Sequence, residues 1–278
     1  MAITFHQSSI AAEPHGAGVS RQSMLTAERV RDTKVLLDRL TLFAGASFAL
    51  AIPPGDLAWF QVLEGSVRLE HDDSAEALDA AHIAFLPPGF DGHVTSAGGA
   101  VLLHAHVPDA ARFDPAFAAQ PPQFRIVDWT REPVLDSEHD ARKRIYLVTP
   151  KLFGTKALKG EMIIYPPGTE GANHHHEGAE HFMYVLRGSG TAYANEQPIP
   201  VREGDLIYYG DRERHYLRSA GGQEMRFVEF FVPGTYRTIW APGAPVCTWV
   251  PTGASLSGER PMREIEKHQS DAATPTDV

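Results

Sequence analysis

The stretch Gly168–Gly188, which reads GTEGANHHHEGAEHFMYVLRG, decides how this chain is interpreted. It places three consecutive histidines, a glycine and a further histidine ahead of a short apolar run. In an extended segment successive side chains point to opposite faces, so His174 and His176 project to the same side. A turn at Gly178 can return the chain so that His181 joins them. The stretch therefore predicts a cluster of imidazoles.

The segments around this stretch repeat an earlier part of the chain. The first half carries IPPG, FQVLEG and AFLPPGFDGH, and the second half carries YPPG, MYVLRG and IYYGDRERH in the same order. After the glycine of the VLEG or VLRG turn the copies align closely, because 28 residues separate Gly65 from His93 and 27 separate Gly188 from His215. Before that glycine the second copy is ten residues longer, and the extra residues contain NHHHEGAEH. The repeat predicts two similar domains, of which only the second carries the histidine cluster.

Composition and charge favour an all-β protein and argue against one that binds nucleic acid or membranes. The 278 residues are enough for two modest domains, and the net charge of −10 leaves no surplus of cations to neutralise nucleic acid or an anionic membrane. Twenty-one prolines and twenty-four glycines separate short apolar runs, which is typical of an all-β sandwich or barrel. One cysteine, Cys247, no signal-peptide pattern and no apolar run of about 20 residues favour a cytoplasmic protein.

The second half resembles the cupin superfamily, whose first motif is G(X)5HXH(X)3–4E(X)6G. Here the motif begins at Gly168, continues through His174, His176 and His181, and ends at Gly188, so every spacing fits and a histidine stands where the family usually has glutamate. The second motif keeps its glycine at Gly204 and its histidine at His215 and loses its proline, inner glycine and asparagine. The resemblance implies an all-β fold of two tandem cupin barrels, which are double-stranded β-helices of the jelly-roll type.

The resemblance also implies one divalent metal ion per chain, bound by His174, His176, His181 and His215. Glu180 satisfies the shorter spacing of the motif and stays open as the alternative third ligand. Four imidazoles suit several metals; Fe(II) or Mn(II) is the first expectation, and Zn, Ni, Co and Cu remain open. The first half has no histidine in the matching loop, which predicts a metal-free barrel.

The repeat and the motifs together predict five segments. They are an N-terminal arm (1–35), a degenerate metal-free cupin (36–107), a linker (108–139), a metal-binding cupin (140–235) and a C-terminal extension and tail (236–278). We further expect a short helix at Met24–Arg31 and a disordered tail at the end of 252–278.

All-histidine sites resemble those of cupin dioxygenases, which predicts an Fe(II)- or Mn(II)-dependent oxidoreductase acting on a small oxygenated organic acid or ketone through an enolate- or phenolate-type form. Glu180 is the candidate catalytic acid–base group, and Arg212, Tyr193 and Tyr208 are the candidate substrate contacts. A manganese-dependent hydrolase resembling the ureidoglycine aminohydrolases, or another cupin lyase or isomerase, is the alternative. A non-catalytic small-molecule-binding cupin is the third interpretation.

The family resemblance also predicts a homodimer, and nothing in the sequence predicts a nucleic-acid or membrane partner.

Overall fold

The computed structural model describes residues 2–270 and divides them into two compact units. The N-terminal unit comprises Gln7–Trp129 and Phe153–Thr155, and the C-terminal unit comprises the residues up to His6, Thr130–Leu152 and the residues from Lys156 onward. Almost all regular structure is antiparallel β, so the predicted all-β class is confirmed. The first strand, β1 (Ile3–His6), belongs to the C-terminal unit because it pairs with a strand there.

The N-terminal unit contains ten strands around an apolar core. They are β2 (Glu13–Pro14), β3 (Val19–Leu25), β4 (Leu36–Leu42), β5 (Ala46–Ala51), β6 (Leu57–His71), β7 (Ser74–Asp79), β8 (His82–Leu86), β9 (Asp91–Ser96), β10 (Ala100–Val107) and β11 (Arg125–Asp128). The main order is β11-β8-β6-β10-β4-β3-β2, and β7, β9 and β5 continue from the long strand β6. Short 3-10 helices lie at Gln7–Ser9 and Ala110–Phe113. Buried side chains such as Phe60, Leu69 and Leu102 fill the interior.

The C-terminal unit holds the remaining strands in two sheets. They are β12 (Leu135–Ser137), β13 (Lys143–Val148), β14 (Lys159–Tyr165), β15 (His174–Glu177), β16 (Glu180–Arg187), β17 (Ser189–Ala194), β18 (Gln197–Arg202), β19 (Asp205–Tyr209), β20 (His215–Ser219), β21 (Met225–Val232), β22 (Arg237–Trp240), β23 (Thr248–Pro251) and β24 (His268–Gln269). One sheet has the order β1-β19-β16-β21-β14-β13-β12-β23-β24 and the other β18-β17-β20-β15-β22. A helix of one turn, α1 (Pro150–Phe153), follows β13. Alternate residues of both sheets, including Val185, Leu217 and Phe227, form the apolar core.

The repeated VLEG or VLRG segment ends in a glycine, and the same structural constraint requires glycine there in both units. Gly65 and Gly188 have φ of 73° and 81°, in the left-handed region that favours glycine. A Cβ at either position would collide with backbone atoms of the adjacent strand, at Gly99 and Glu224 respectively. The repeat therefore preserves a point where two backbones approach too closely for a side chain.

The Gly188→Ala variant is expected to be destabilised by about 2 kcal/mol. The left-handed conformation alone costs about 1–2 kcal/mol for a residue with a Cβ, and the contact with the Glu224 carbonyl adds to it. For a chain of this size we expect Tm to fall by about 4–8 °C in differential scanning calorimetry. Gly222→Ala is the control, because its Cβ would meet no atom within 4 Å. Equal Tm values for the two variants would show that the close backbone approach does not require glycine at position 188.

Three predictions about connecting segments differ from the structure. Met24 and Leu25 end strand β3, and only one helical turn follows, because pairing with β4 outweighs the local helix propensity of Met24–Arg31. The predicted linker, 108–139, contains β11 and β12. The segment predicted to end as a disordered tail contains β24 up to Gln269, while residues 271–278 lie outside the described part of the chain. No helix among residues 2–270 is long and apolar enough to cross a membrane.

Candidate metal centre

Strand β15 and its neighbour β20 bring three histidines together. His174 and His176 lie on the same face of β15, and the β15–β20 register sets His215 directly opposite His174. The ring centroids of His174 and His215 are 4.4 Å apart, and those of His176 and His215 are 5.2 Å apart. The intervening residue, His175, points to the other face, with its ring 3.7 Å from Glu177. The predicted two-residue alternation is what places the imidazoles together.

Each of these three rings is oriented by a contact at its Nδ1 atom. His174 Nδ1 lies 2.8 Å from the Ala172 carbonyl oxygen, and His215 Nδ1 lies 2.7 Å from the Glu213 carbonyl oxygen. A carbonyl oxygen only accepts, so Nδ1 carries the proton and Nε2 is left with its lone pair. Nε2 of His215 is buried without a hydrogen-bond partner. This is the arrangement by which proteins orient histidine ligands toward a metal ion.

A threonine hydroxyl fixes His176 in the same tautomer, with the proton on Nδ1. The Thr238 hydroxyl donates to the Ser270 carbonyl oxygen at 3.3 Å, and its oxygen lies 3.2 Å from His176 Nδ1. Since the hydroxyl proton is already donated, the oxygen accepts from Nδ1–H of His176. The Nε2 lone pair of His176 is thereby directed away from β22.

The Thr238→Val variant is expected to bind metal about 10-fold more weakly than the unmodified protein, because it removes the acceptor for His176 Nδ1–H while keeping the side-chain shape. Competition with a chromophoric chelator measures the affinity. Thr238→Ser keeps the hydroxyl and should retain affinity within about twofold. Weakening by both variants to the same extent would show that packing, not the hydrogen bond, matters at this position.

His181 lies beside a carboxylate that the sequence motifs do not include. The first residues of β16 return the chain after Gly178, as predicted, and His181 is 2% exposed. Its Nε2 atom is 3.4 Å from Oε1 of Glu229, and neither ring nitrogen makes a hydrogen bond. Glu229 lies in the middle of β21, which reads MRFVEFFV. A single carboxylate inside an apolar strand is the sequence signal that could have identified it.

Glu229 also faces a second buried carboxylate. The β14–β21 register pairs it directly with Glu161, and the two residues are 6% and 1% exposed. Glu161 is paired with Arg144 at 3.0 Å. Burial and the charge of Glu161 raise the pKa of Glu229 above the ordinary range of glutamate. Two like charges directly opposite each other in a sheet are unfavourable, so this pair favours a proton or a bound cation between Glu229 and the histidines.

The histidines are kept neutral by their surroundings. Burial lowers the pKa of His174, His176 and His181 well below the usual value, and it lowers the pKa of His215 to about 4. Neighbouring imidazoles lower the pKa of the first three further, because a second positive ring nearby is unfavourable. Neutral imidazoles are the form that binds a metal ion.

The donor atoms fit a divalent cation. Those of His174, His176 and His215 lie within 4.8 Å of one another, as do those of His176, His181 and Glu229. His176 belongs to both groups, so four imidazoles and one carboxylate surround a common region. Imidazole and carboxylate donors suit Mn, Fe, Co, Ni, Cu and Zn. Within residues 2–270, both groups that could hold a metal ion lie in the C-terminal unit.

A small, partly open cavity of about 30 Å³ adjoins these donors. His174, His176, His215 and Glu229 line it. Charged groups and aromatic rings from β13 and the residue before it, from β14 and β21, and from the C-terminal extension also line it, among them Arg142, Arg144, Glu161, Phe231, Tyr236, Trp240 and Trp249.

The four other predicted site residues lie away from this cavity. Glu180 is the outward neighbour of His181 on β16, and its carboxylate accepts a hydrogen bond from the Tyr208 hydroxyl at 2.9 Å. Because successive strand residues alternate, Glu180 and Tyr208 both face away from the histidines. Arg212 is 66% exposed and pairs with Glu177, while its backbone N–H donates to the His176 carbonyl. Tyr193 stacks on Tyr216 at 4.3 Å. The described residues that line the cavity do not include these four, whose catalytic and substrate-contact roles stay predictions.

A family model for the cupin domain matches residues 161–231, the region that contains β14 to most of β21. Residues 161–231 therefore form a cupin domain. Strands β22 and β23, and Ser270 after β24, lie beyond the matched region and still line the cavity. Protein SchB of Streptomyces halstedii is 29% identical over 82 residues, which is 30% of this cupin and 59% of SchB.

Solved structures are similar to this chain in fold over a region that includes both barrels. A variant of oxalate decarboxylase from Bacillus subtilis superposes with a TM-score of 0.67 at 14% identity, over 85% of this cupin and 78% of that chain. Protein Ylba from E. coli superposes with a TM-score of 0.66 at 14% identity, over 83% and 90%. These likenesses confirm the predicted jelly-roll fold. The predicted resemblance to the ureidoglycine aminohydrolases is not confirmed by these comparisons.

Proposed function

We propose that this cupin is a metal-dependent enzyme, an Fe(II) or Mn(II) dioxygenase that acts on a small oxygenated organic acid or ketone. The observation that supports it best is the orientation of the three imidazoles. His174, His176 and His215 each have Nδ1 engaged by an oxygen, so their Nε2 lone pairs are left free beside the cavity that all three residues line. When bound there, the metal ion would supply a Lewis-acidic, redox-active centre.

The buried charges around the cavity favour an anionic substrate. Arg142 is paired with Asp140, Arg144 with Glu161, and Lys159 and Glu229 complete the set. These three cations and three carboxylates balance when all are ionised, and the imidazoles are neutral. A divalent ion therefore adds two positive charges that the protein side chains leave uncompensated. An organic acid or an enolate would restore the balance.

Buried aromatic side chains line the same space. Phe227 and Phe231 of β21 and Trp249 of β23 are no more than 1% exposed, and all three line the cavity. Charge interactions are stronger beside such buried rings than in bulk water. Arg142 and Arg144 are held by hydrogen bonds to Asp140, Tyr165 and Tyr146, so their charges have fixed positions relative to the histidines.

A second candidate is a lyase or hydrolase that does not consume dioxygen. One oxygen of Glu161, Oε2, is buried in the cavity wall without a hydrogen-bond partner. A carboxylate in that position can exchange a proton with a substrate, which C–C cleavage and hydrolysis both need. Decarboxylation is included here because oxalate decarboxylase has the same fold.

Product analysis with and without dioxygen separates the two candidates. Protein loaded with Fe(II) or Mn(II) is supplied with 2-oxo acids, 2-hydroxy acids, 1,3-diketones, oxalate or ureidoglycine, while dioxygen, carbon dioxide and ammonia are followed. We expect dioxygen uptake that matches product formation and stops under argon. Turnover that continues at the aerobic rate under argon, and that falls in Glu161→Gln, would establish the lyase or hydrolase instead. Absence of turnover with every compound by well-loaded protein would favour a binding role.

A further inference from the structure

The C-terminal extension supplies much of the cavity wall. Strand β22 pairs with β15 so that Thr238 lies opposite His176 and Trp240 opposite His174. Tyr236 precedes this strand, and Cys247, Trp249 and Ser270 reach the cavity from the following segments. These residues lie outside the matched cupin region, 161–231. A segment outside the matched cupin domain therefore faces the space beside the candidate ligands.

Most polar atoms of the extension that face the cavity already have partners within the chain. Thr238 contacts His176 and Ser270, the Trp249 indole N–H donates to the Ser270 hydroxyl at 2.5 Å, and Tyr236 accepts from Lys159 at 3.1 Å. Cys247 accepts from Arg142 at 2.9 Å.

Two N–H donors of the residues that line the cavity lack a hydrogen-bond acceptor within the part of the chain that the structure describes. Nε1 of Trp240 and Nε of Arg144 are both buried and have no hydrogen-bond acceptor among the described residues. Both residues line the cavity, and the Trp240 ring lies 5.1 Å from the ring of His174. A buried donor without an acceptor is unfavourable, so such groups in a cavity wall commonly mark the position of a ligand atom.

We propose that Trp240 donates a hydrogen bond from Nε1 to a carboxylate oxygen of the substrate, and that Arg144 supports the same group with its charge and its Nε–H. The substrate class is then a carboxylate anion of few heavy atoms, in keeping with the small cavity. A carboxylate accepts from both donors, whereas an ammonium group, which only donates, could satisfy neither. The inference depends on the proposed function only in taking this cavity as the substrate site.

The binding test uses oxalate as the probe and oxamide, its uncharged diamide, as the comparison. Both are titrated calorimetrically into zinc-loaded protein, so binding is measured without turnover. We expect Trp240→Phe, which keeps an aromatic ring and removes the N–H, to weaken oxalate binding about 10- to 100-fold while the zinc content is unchanged. Trp129→Phe is the control, because its indole N–H donates to the Ala80 carbonyl in the N-terminal unit. Oxalate affinity within twofold of the unmodified protein in Trp240→Phe would overturn the proposal.

A spectroscopic measurement covers the case in which Trp240→Phe fails to fold. The chain has four tryptophans, so the folded protein should give four indole N–H signals in a proton–nitrogen correlation spectrum. We expect oxalate to move one of them downfield and oxamide to move it much less, with Trp129→Phe removing a different signal. Four unmoved signals at saturating oxalate, or equal shifts with oxamide, would refute a carboxylate contact at Trp240. Oxalate binding that moves the indole signal in a protein without dioxygenase activity would retain this inference and reject the proposed function.

Discussion

Replacing His176 with alanine should leave the protein without its metal ion. His176 is the residue shared by the two groups of donors, so its loss removes a ligand from both. We expect metal content to fall from about one ion per chain to less than 0.1, and affinity to fall at least ~100-fold, since loss of a residue that merely supports a ligand already costs 10- to 100-fold. Mass spectrometry of protein purified without a nickel column measures this directly.

His175→Ala is the matched control for that variant. It removes an imidazole from the adjacent position of the same strand, on the face where His175 lies near Glu177 and Arg214. Metal content should stay near one ion per chain, because the side chain does not reach the cavity. Similar losses in both variants would mean that alanine disturbs β15 as a whole. Full occupancy in His176→Ala would refute the site.

The Glu229→Gln variant is expected to bind metal about 10- to 100-fold more weakly and with a smaller dependence on pH. The pKa of Glu229 is raised by burial and by Glu161, so a proton competes with the metal ion for this carboxylate. In the unmodified protein, affinity should therefore rise as the pH rises from about 6 toward 8, because metal binding displaces the proton. Glutamine has no proton to lose at this position, so that part of the rise disappears. Chelator competition across this pH range gives both quantities.

Two controls make the Glu229 result specific. Glu203→Gln removes an exposed carboxylate of the same unit and should leave affinity and pH dependence unchanged. The metal-free Glu229→Gln protein should unfold at the same temperature as the unmodified protein or a higher one, since the like-charge contact with Glu161 is relieved. A metal affinity equal to that of the unmodified protein would show that the histidines alone hold the ion.

The sequence predicted the histidine cluster because its determinants are local. His174 and His176 are two residues apart on one strand, Gly178 lies in the turn that follows, and His181 begins the next strand. His215 could be added because the distance from Gly188 repeats the distance in the first half of the chain. The sequence does not decide between Glu180 and His181 as the third ligand, since both spacings satisfy the motif.

That choice depends on strand register. Pairing of β16 with β21 sets His181 opposite Phe231 and Met183 opposite Glu229, which turns His181 inward and Glu180 toward Tyr208. A shift of one residue would have exchanged the two faces. Nearness in sequence to a ligand does not determine the face on which a side chain lies, so the structure places Tyr193, Tyr208 and Arg212 away from the cavity, and their substrate contacts stay a prediction.

The sequence by itself determined the all-β class, the two repeated domains and the histidines that come together, because these follow from alternation, turn residues and fixed spacing. Only the tertiary structure decided which other side chains join them. Glu161, Glu229 and Trp240 lie on three different strands, β14, β21 and β22, and cross-strand pairing sets them beside the histidines. Pairing is fixed by the burial of whole sheet faces, a property of the assembled core that no local segment carries.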